Sequence, residues 1–331
     1  MQVDHLTPVC AQVCLPAIGL AGLLGNLGAI LILLRPEMKS TFHHTLITLA
    51  VTDILFVITL LVDSQRPDLN LDNQIFIMFF PYVWNPAKNI VMTFETFLMM
   101  SITTERYLAI RNPLEHRFSR SRFSPSIHLT VYILPALLAS VLLNIPKFFE
   151  TELVWVERVD ASGVTVHLMD YKMTSLRHHP AYILYYTHWT RLLTTGVLPA
   201  IYLGLGNLLL VRALGQLEGG RPVADIDQSN GMEGRKLRVH RVTNKTTSNS
   251  IKMKSHMLIA IVVIYLVCSL PRLALNLTEY LLQDSLSRCP HPPYWFILLL
   301  GISSLCLTIN SSINFLIYYS MGNMFKAASH R

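Results

Sequence analysis

The chain has 331 residues, enough for two soluble domains, yet 52% of them are hydrophobic and only 14% are charged. Soluble proteins carry roughly a quarter of charged residues, so this composition excludes a soluble globule, and it also excludes disordered, collagen-like and small disulfide-rich chains. The net charge of +7 comes from 27 Lys and Arg against 20 Asp and Glu. In a membrane protein such an excess indicates orientation, and nucleic acid is not a predicted partner.

Seven apolar runs follow one another along the chain, and we number them spans 1 to 7. They cover 11–34, 45–62, 75–104, 127–146, 182–211, 256–281 and 293–319. Each reaches or approaches the roughly 20 residues that a helix needs to cross about 30 Å of hydrocarbon. Nearly continuous hydrophobicity favours helices over the alternating segments of a membrane barrel. The sequence therefore predicts an all-α bundle of seven transmembrane helices, a single domain over 1–331 with a short cytoplasmic tail at 320–331.

The basic residues predict the direction of the chain. Eighteen Lys and Arg lie before spans 2, 4 and 6 or after span 7, whereas six lie on the opposite side. Because an excess of Lys and Arg marks the cytoplasmic side, the N-terminus is predicted outside and the C-terminus inside. Span 1 has no preceding basic segment or small-residue cleavage site, which favours a signal anchor over a removed signal peptide.

Two connections between spans are long. The outer one, between spans 4 and 5, alternates polar and apolar residues in Thr151–Arg158 and Val164–Leu168 around the turn Asp160-Ala161-Ser162-Gly163. This pattern predicts a β-hairpin. The inner one, 212–255, is polar and basic, and span 6 is predicted to extend through it into the cytoplasm. No internal repeat indicates a transporter with duplicated halves.

Short motifs stand in order on these spans. They are Gly25-Asn26 in span 1, Leu49-Ala50-Val51-Thr52-Asp53 in span 2, Glu105-Arg106-Tyr107 and Pro113-Leu114 after span 3, Pro199 in span 5, Cys268-Ser269-Leu270-Pro271 in span 6, and 310–318 in span 7. The ordered set resembles the rhodopsin-like (class A) family of G-protein-coupled receptors over essentially the whole chain. The resemblance implies a multi-pass receptor in the lipid of the plasma membrane, with an extracellular ligand and a heterotrimeric G protein as partners.

The inner end of span 3 is the predicted transducing face. Arg106 can pair with its neighbour Glu105 and hold the cytoplasmic face closed, and an Arg that merely extends to the interface is the alternative. The resemblance implies that activation frees Arg106 to face the G protein. It assigns the following residues to coupling and activation: Glu105, Arg106, Tyr107, Pro113, Leu114, Pro271, Asn314 and Tyr318.

Asp53 is a carboxylate in the middle of a span, where an ionisable group is costly and normally faces a polar interior. The resemblance implies a polar cluster in which Na⁺ stabilises the inactive state, made of Asn26, Asp53, Glu95, Asn310 and Asn314. Glu95 beside Asp53 either strengthens cation binding or shares a proton, since two close carboxylates repel. The alternatives are that Glu95 is protonated or is paired with Lys88. No cofactor other than this Na⁺ is predicted.

The cysteines depart from the family pattern. No cysteine lies between residues 15 and 267, so the usual disulfide between span 3 and the second outer loop cannot form, and Pro81 stands where its first cysteine is expected. Three cysteines lie on the outer side, so a disulfide of Cys289 with either Cys10 or Cys14 is possible. The sequence cannot decide between the two pairings.

Other departures concern the subfamily. Ser269, Phe315 and Asn207 replace the Trp, Pro and Tyr that the family usually carries in spans 6, 7 and 5, which puts standard activation in doubt. The segments 144–150 and 270–279 and the pair Asn314-Phe315 are similar to invertebrate FMRFamide and related neuropeptide receptors.

The ligand class is narrowed by two positions. Lys88 stands where aminergic receptors carry an Asp and would repel a cationic amine, which argues against a monoamine ligand. Thr308 stands where opsins carry the retinal Lys, which excludes a photopigment. A peptide ending in Arg-Phe-amide needs an acid and aromatic contacts. The candidate ligand-binding residues are Lys88, Met92, Glu150, Glu279 and Trp295. Lys88 and Arg272 could each neutralise a pocket acid, among them Asp63.

An enzyme is not predicted, because the chain has no GxSxG, HExxH or P-loop motif. The adjacent pairs His43-His44 and His178-His179 diverge on a helix and do not predict a metal site. Two alternatives stay open: a receptor for another peptide or small ligand with atypical or no G-protein coupling, and a seven-span transporter, which would need a continuous polar path.

Overall fold

The structure is a computed structural model that describes residues 13–35, 41–64, 74–112, 125–159, 165–218, 234–282 and 293–321. Five spans are continuous helices: span 1 is Leu15–Leu33, span 2 is Thr41–Ser64, span 4 is Pro125–Asn144, span 6 is Gly234–Leu281 and span 7 is Tyr294–Met321. Span 6 continues well beyond its apolar run on the cytoplasmic side, as predicted. The all-α bundle and its outer β-hairpin are confirmed.

Spans 3 and 5 contain π-helical turns. Span 3 runs through Gln74–Phe79, a π-helical Phe80–Trp84 and Asn85–Arg111. Span 5 begins with π-helical Tyr182–Thr190 and Leu193–Val197 and continues as Leu198–Glu218. In span 3 the cause is visible, since Pro81 and Pro86 have no backbone N–H to donate. Both irregularities lie in the outer half of the bundle, and such turns often occur at functional sites.

Six of the described helices are long and apolar enough to cross a membrane. Asn85–Arg111 of span 3 is not among them because it carries five charged residues, Lys88, Glu95, Glu105, Arg106 and Arg111. It lies at the centre of the bundle, packed against spans 2, 4, 5 and 6. Charged residues that face a protein interior lower the hydropathy of a span without exposing charge to lipid.

The apolar core occupies the inner half of the bundle. Span 1 packs on spans 2 and 7, and span 7 packs on span 6. Leu46, Met99, Leu210 and Ile261 are fully or almost fully buried, one each from spans 2, 3, 5 and 6. Conversely, leucines of span 1 at spacings of three and four residues are exposed on one face, which is the face that lipid covers: Leu20, Leu24, Leu27 and Leu31.

A β-hairpin caps the outer side between spans 4 and 5. Strand β1, Thr151–Val159, pairs antiparallel with β2, Thr165–Met173, from Thr151 opposite Met173 to Val159 opposite Thr165. The predicted turn at 160–163 lies outside the described residues. The hairpin is attached to the outer end of span 3, where the Met169 N–H donates to Gln74 Oε1 at 2.8 Å. Phe80 stacks on Tyr171 with ring centroids 5.1 Å apart.

Candidate functional site

Asp53 is fully buried at mid-bundle, where it accepts a hydrogen bond from Asn314 Nδ2 at 2.7 Å. Nearby on span 1, Asn26 donates Nδ2 to the backbone carbonyl of Ser311 at 2.7 Å. The second oxygen of Asp53, Oδ1, and the Oδ1 of Asn26 are buried with no hydrogen-bond partner in the described part of the chain. Buried acceptors without a donor are unusual, and carboxylate and amide oxygens are the ligands that hard cations prefer.

Span 1 approaches span 7 closely beside this cluster. A Cβ added at Gly22 would lie 3.0 Å from Ser312 Cα and would overlap the Ser312 side chain. Glycine is therefore required at this position, because any side chain would push apart the two helices that carry Asn26 and Asn310.

Glu95 is the second buried carboxylate of this cluster, and it faces span 7. It accepts hydrogen bonds from Asn310 Nδ2 at 3.0 Å and from Ser311 Oγ at 3.4 Å. The alternative pairing with Lys88 is wrong, because Lys88 Nζ bonds Asp63 Oδ2 on span 2 at 2.5 Å. Among the described residues no group of three His, Cys, Asp or Glu is placed to hold a metal ion. The cluster offers two carboxylates and amide oxygens as possible ligands.

The inner end of span 3 is closed. Arg106 is only 7% exposed, and its Nε donates to Glu105 Oε2 at 2.6 Å while Nη2 contacts Oε1. The expected local pair is therefore present. The guanidinium also lies over the ring of Phe42, 4.4 Å from its centroid, and the Lys254 ammonium of span 6 lies 5.8 Å from the same centroid. Phe42 thus connects the arginine of span 3 to the inner end of span 6.

The other predicted coupling residues are dispersed. Tyr107 packs partly buried against the apolar core, Tyr318 is fully buried, and Pro271 lies inside the span 6 helix. Pro113 and Leu114 lie outside the described residues.

The departures in spans 5 and 6 have structural partners. Ser269, in place of Trp, donates to the Tyr265 carbonyl at 2.7 Å, and the Tyr265 hydroxyl shares a hydrogen bond with Thr96 of span 3 at 2.8 Å. Asn207, in place of Tyr, donates to the Ile259 carbonyl of span 6 at 3.3 Å. Asn207 therefore links spans 5 and 6, whereas the hydrogen bond of Ser269 stays within span 6.

The predicted ligand acids are engaged by cations of this chain. Glu150 is 5% exposed and accepts from Lys147 Nζ at 2.7 Å and from the Tyr182 hydroxyl at 2.8 Å, with Arg177 Nη1 at 3.8 Å. Glu279 is less enclosed, and its one ion pair within the described residues is with Arg191 Nη1 at 3.3 Å. Asp63, which pairs with Lys88, also accepts a hydrogen bond at its Oδ1 from Trp84 Nε1 at 3.3 Å.

Of the five predicted ligand residues, all within the described part of the chain, only Met92 lines the outer cavity. Beside Met92, the cations Lys147 and Arg191 line this small cavity, which lies between spans 3, 4 and 5 on the outer side. Trp295 lies at the outer end of span 7, 46% exposed, in edge contact with Phe296 at 5.9 Å. It is not among the residues that line this cavity.

The sequence allows two disulfide pairings, Cys10 with Cys289 or Cys14 with Cys289. Cys14 is a free cysteine in the structure, so the pairing of Cys14 with Cys289 is not formed. Cys10 and Cys289 lie outside the described residues, and a bridge between them stays a prediction.

Several contacts near the predicted sites are not predicted by the sequence. Arg191 of span 5 pairs with Glu279 across 88 residues, and the Phe42 ring lies close to two cations. Neither has a sequence signal. The pair of Lys147 with Glu150 does have one, since opposite charges three residues apart on a helical turn can meet.

The sequence between residues 25 and 318 matches the family model described as "7 transmembrane receptor (rhodopsin family)". The chain belongs to this family and is a multi-pass protein of the plasma membrane. An FMRFamide receptor of Drosophila melanogaster is 27% identical over 329 residues, which cover 96% of this chain and 52% of the relative. The chain thus spans about half the length of the curated relative that it matches.

Proposed function

We propose that this receptor binds a short amidated peptide at its outer cavity and activates a heterotrimeric G protein at its inner face. The similarity over nearly the whole chain to an FMRFamide receptor is the observation that carries the proposal. The outer cavity supports it, because the charged and hydroxyl side chains that line it suit the polar end of a peptide better than a small apolar ligand. No catalytic role is proposed.

Glu279 is the acid that we assign to the ligand's arginine. It holds one loose contact with Arg191, whereas Glu150 is enclosed by a lysine, a tyrosine and an arginine. A ligand guanidinium can replace Arg191 at Glu279 with a bidentate pair, and it would have to break three contacts at Glu150. Glu150 then serves to fix the outer end of span 4 against span 5.

Activation follows from the closed inner face. Ligand binding would favour a state in which span 6 moves outward, which separates Lys254 from Phe42 and uncovers Arg106 for the G protein. Lys252 and Lys254 of span 6 and Leu114 of the second inner loop would then be available for contact with the G protein.

Na⁺ is the ion that we assign to the polar cluster. The unpartnered Oδ1 atoms of Asp53 and Asn26 are the proposed ligands, and Glu95, Asn310 and Asn314 would surround the ion. Bound Na⁺ would supply the positive charge that two adjacent buried carboxylates lack.

The test is a panel of amidated peptides applied to cells that express the receptor, with calcium and cyclic-nucleotide readouts. Phe-Met-Arg-Phe-amide is expected to signal, its free acid to be weaker, and Arg106→Leu to abolish signalling while peptide still binds. Replacing the peptide's arginine by the neutral isostere citrulline should cost about tenfold or more in potency on the wild type and little on Glu279→Gln. If Glu279→Ala retains full potency at equal surface expression, the assignment of this acid to the ligand's arginine is wrong.

A further inference from the structure

A buried hydrogen bond links span 3 directly to span 6. The hydroxyl oxygens of Thr96 and Tyr265 lie 2.8 Å apart, and both side chains are buried. Thr96 donates its single hydroxyl proton to the Met92 carbonyl at 3.2 Å, so the Tyr265 hydroxyl is the donor in the link and Thr96 accepts. A buried hydroxyl that loses its partner is costly, and the bond therefore opposes separation of the two helices at this depth.

The link lies on the two helices that form the closed inner face. Tyr265 is eleven residues from Lys254 on span 6, and Thr96 is ten residues from Arg106 on span 3. These spacings correspond to about 15–17 Å along a helix. Because a helix is stiff over that length, a restraint at Tyr265 limits how far the inner end of span 6 can swing away from Arg106.

Tyr265 also has space to move into. It lines a small cavity between spans 5 and 6, where Ala200 and Ser269 contribute short side chains. The hydroxyl groups of Thr195 and Ser269 line the same cavity, and each has oxygen lone pairs that can accept a hydrogen bond. A Tyr265 side chain that leaves Thr96 would therefore find both room and new acceptors beside span 5.

We propose that the hydrogen bond between Thr96 and Tyr265 is a releasable link that holds spans 3 and 6 in the closed state, and that Tyr265 moves into the cavity beside span 5 when the inner face opens. The inference rests on the proposed function, in which span 6 moves outward. It adds a contact inside the bundle that sets how often the receptor opens without ligand.

Removal of either hydroxyl tests the link. Tyr265→Phe keeps the ring, and Thr96→Val keeps the shape of the side chain. Each should raise ligand-independent guanine-nucleotide exchange, normalised to receptor number at the cell surface, about two- to tenfold, the range that one net hydrogen bond gives. The double variant should rise hardly further than either single variant, since the two residues share one bond, and effects that multiply would overturn the inference.

A matched control exists on the same helix. Thr104 and Tyr202 form a hydrogen bond of the same type, with their hydroxyl oxygens 2.5 Å apart, but this bond links span 3 to span 5. Thr104→Val and Tyr202→Phe should leave ligand-independent exchange unchanged, because the opening moves span 6. Thermal midpoints of all four variants in detergent identify any that fold poorly. An equal rise in exchange from both pairs would also overturn the inference.

Filling the cavity tests the movement of Tyr265. Ala200→Leu places a larger side chain where the ring is expected to go. Added to Tyr265→Phe, it should return ligand-independent exchange towards the wild-type level, because the ring of the open state loses its space. Exchange in Tyr265→Phe that is unaffected by Ala200→Leu would refute the movement into the cavity.

A labelling measurement separates this inference from the proposed function. Leu258 is fully buried in the inner half of span 6, so the alkylation rate of Leu258→Cys in the purified receptor reports opening without ligand or G protein. The parent receptor supplies the background from its own cysteines. Tyr265→Phe should raise the rate about two- to tenfold. Faster labelling without exchange on any G protein would support the link and count against G-protein activation. Unchanged labelling in a receptor that signals normally to peptide would overturn the link and leave the proposed function standing.

Discussion

Replacing Phe42 with leucine is expected to raise signalling in the absence of ligand. The ring is 2% exposed and lies 4.4 Å from the Arg106 guanidinium and within 5.8 Å of the Lys254 ammonium. A desolvated cation–π contact contributes up to about 2 kcal/mol, and a longer one contributes about 0.5–1 kcal/mol. Phe42→Leu keeps an apolar side chain and removes both contacts, so the closed state loses about 1–3 kcal/mol relative to the open state.

The size of the effect follows from a two-state equilibrium. A minor active state populated at about 0.1–10% becomes about tenfold more populated for each 1.4 kcal/mol removed from the closed state. Ligand-independent guanine-nucleotide exchange, normalised to receptor number at the cell surface, should therefore rise about five- to one hundred-fold, limited by saturation.

The matched control is Phe56→Leu, because Phe56 is a phenylalanine of the same span, 1% exposed, with no cation among its described ring contacts. Both substitutions remove similar volume from a packed site, so both should lower thermal stability similarly. If Phe42→Leu leaves basal exchange unchanged, or if Phe56→Leu raises it equally, the ring does not hold the closed face.

Three further predictions concern the polar cluster, the close helix approach and the hairpin. Na⁺ should raise the thermal midpoint of the wild type above that in equal K⁺, and Asp53→Asn should abolish this difference. Gly22→Ala should lower stability by about 1–3 kcal/mol through overlap with Ser312, measured as thermal unfolding in detergent. Phe80→Leu removes the stacking on Tyr171, worth about 0.5–1.5 kcal/mol, and should speed hydrogen exchange in β1 and β2.

Each of these three predictions is checked by a control variant or by a result that would contradict it. Gly28→Ala should be tolerated, since its nearest neighbour would lie 3.8 Å away, and equal costs at both glycines would contradict the close approach. Trp155→Ala should not loosen the hairpin, because Trp155 is 69% exposed. A Na⁺ effect that survives Asp53→Asn would place the ion elsewhere.

Hydropathy and charge were sufficient to predict the bundle and the outer hairpin. A helix in lipid must be apolar over its length, and a hairpin alternates, so both signals are local in the sequence. Asp53 and Arg106 could be singled out for the same reason, since a charge within or beside an apolar run is visible without knowing its neighbours.

Partners between spans could not be predicted. The sequence offers Glu95 on the same helix as a partner of Lys88, yet Lys88 binds Asp63, 25 residues away on span 2. Which of two acids a lysine meets depends on how two helices rotate against each other, and a period of 3.6 residues does not fix that rotation. The same holds for Phe42, which in sequence is an ordinary apolar residue at the end of a helix.

The attachment of the β-hairpin has a consequence for the kinetics of ligand exchange. A hydrogen bond from Met169 to Gln74 and the ring contact of Tyr171 with Phe80 occupy the place where relatives in this family use a covalent bond. These contacts can break and re-form thermally, so the hairpin can separate from the outer end of span 3 without a change of redox state. We expect the residence time of a bound peptide to shorten steeply with temperature and to be indifferent to reducing agents acting on this loop.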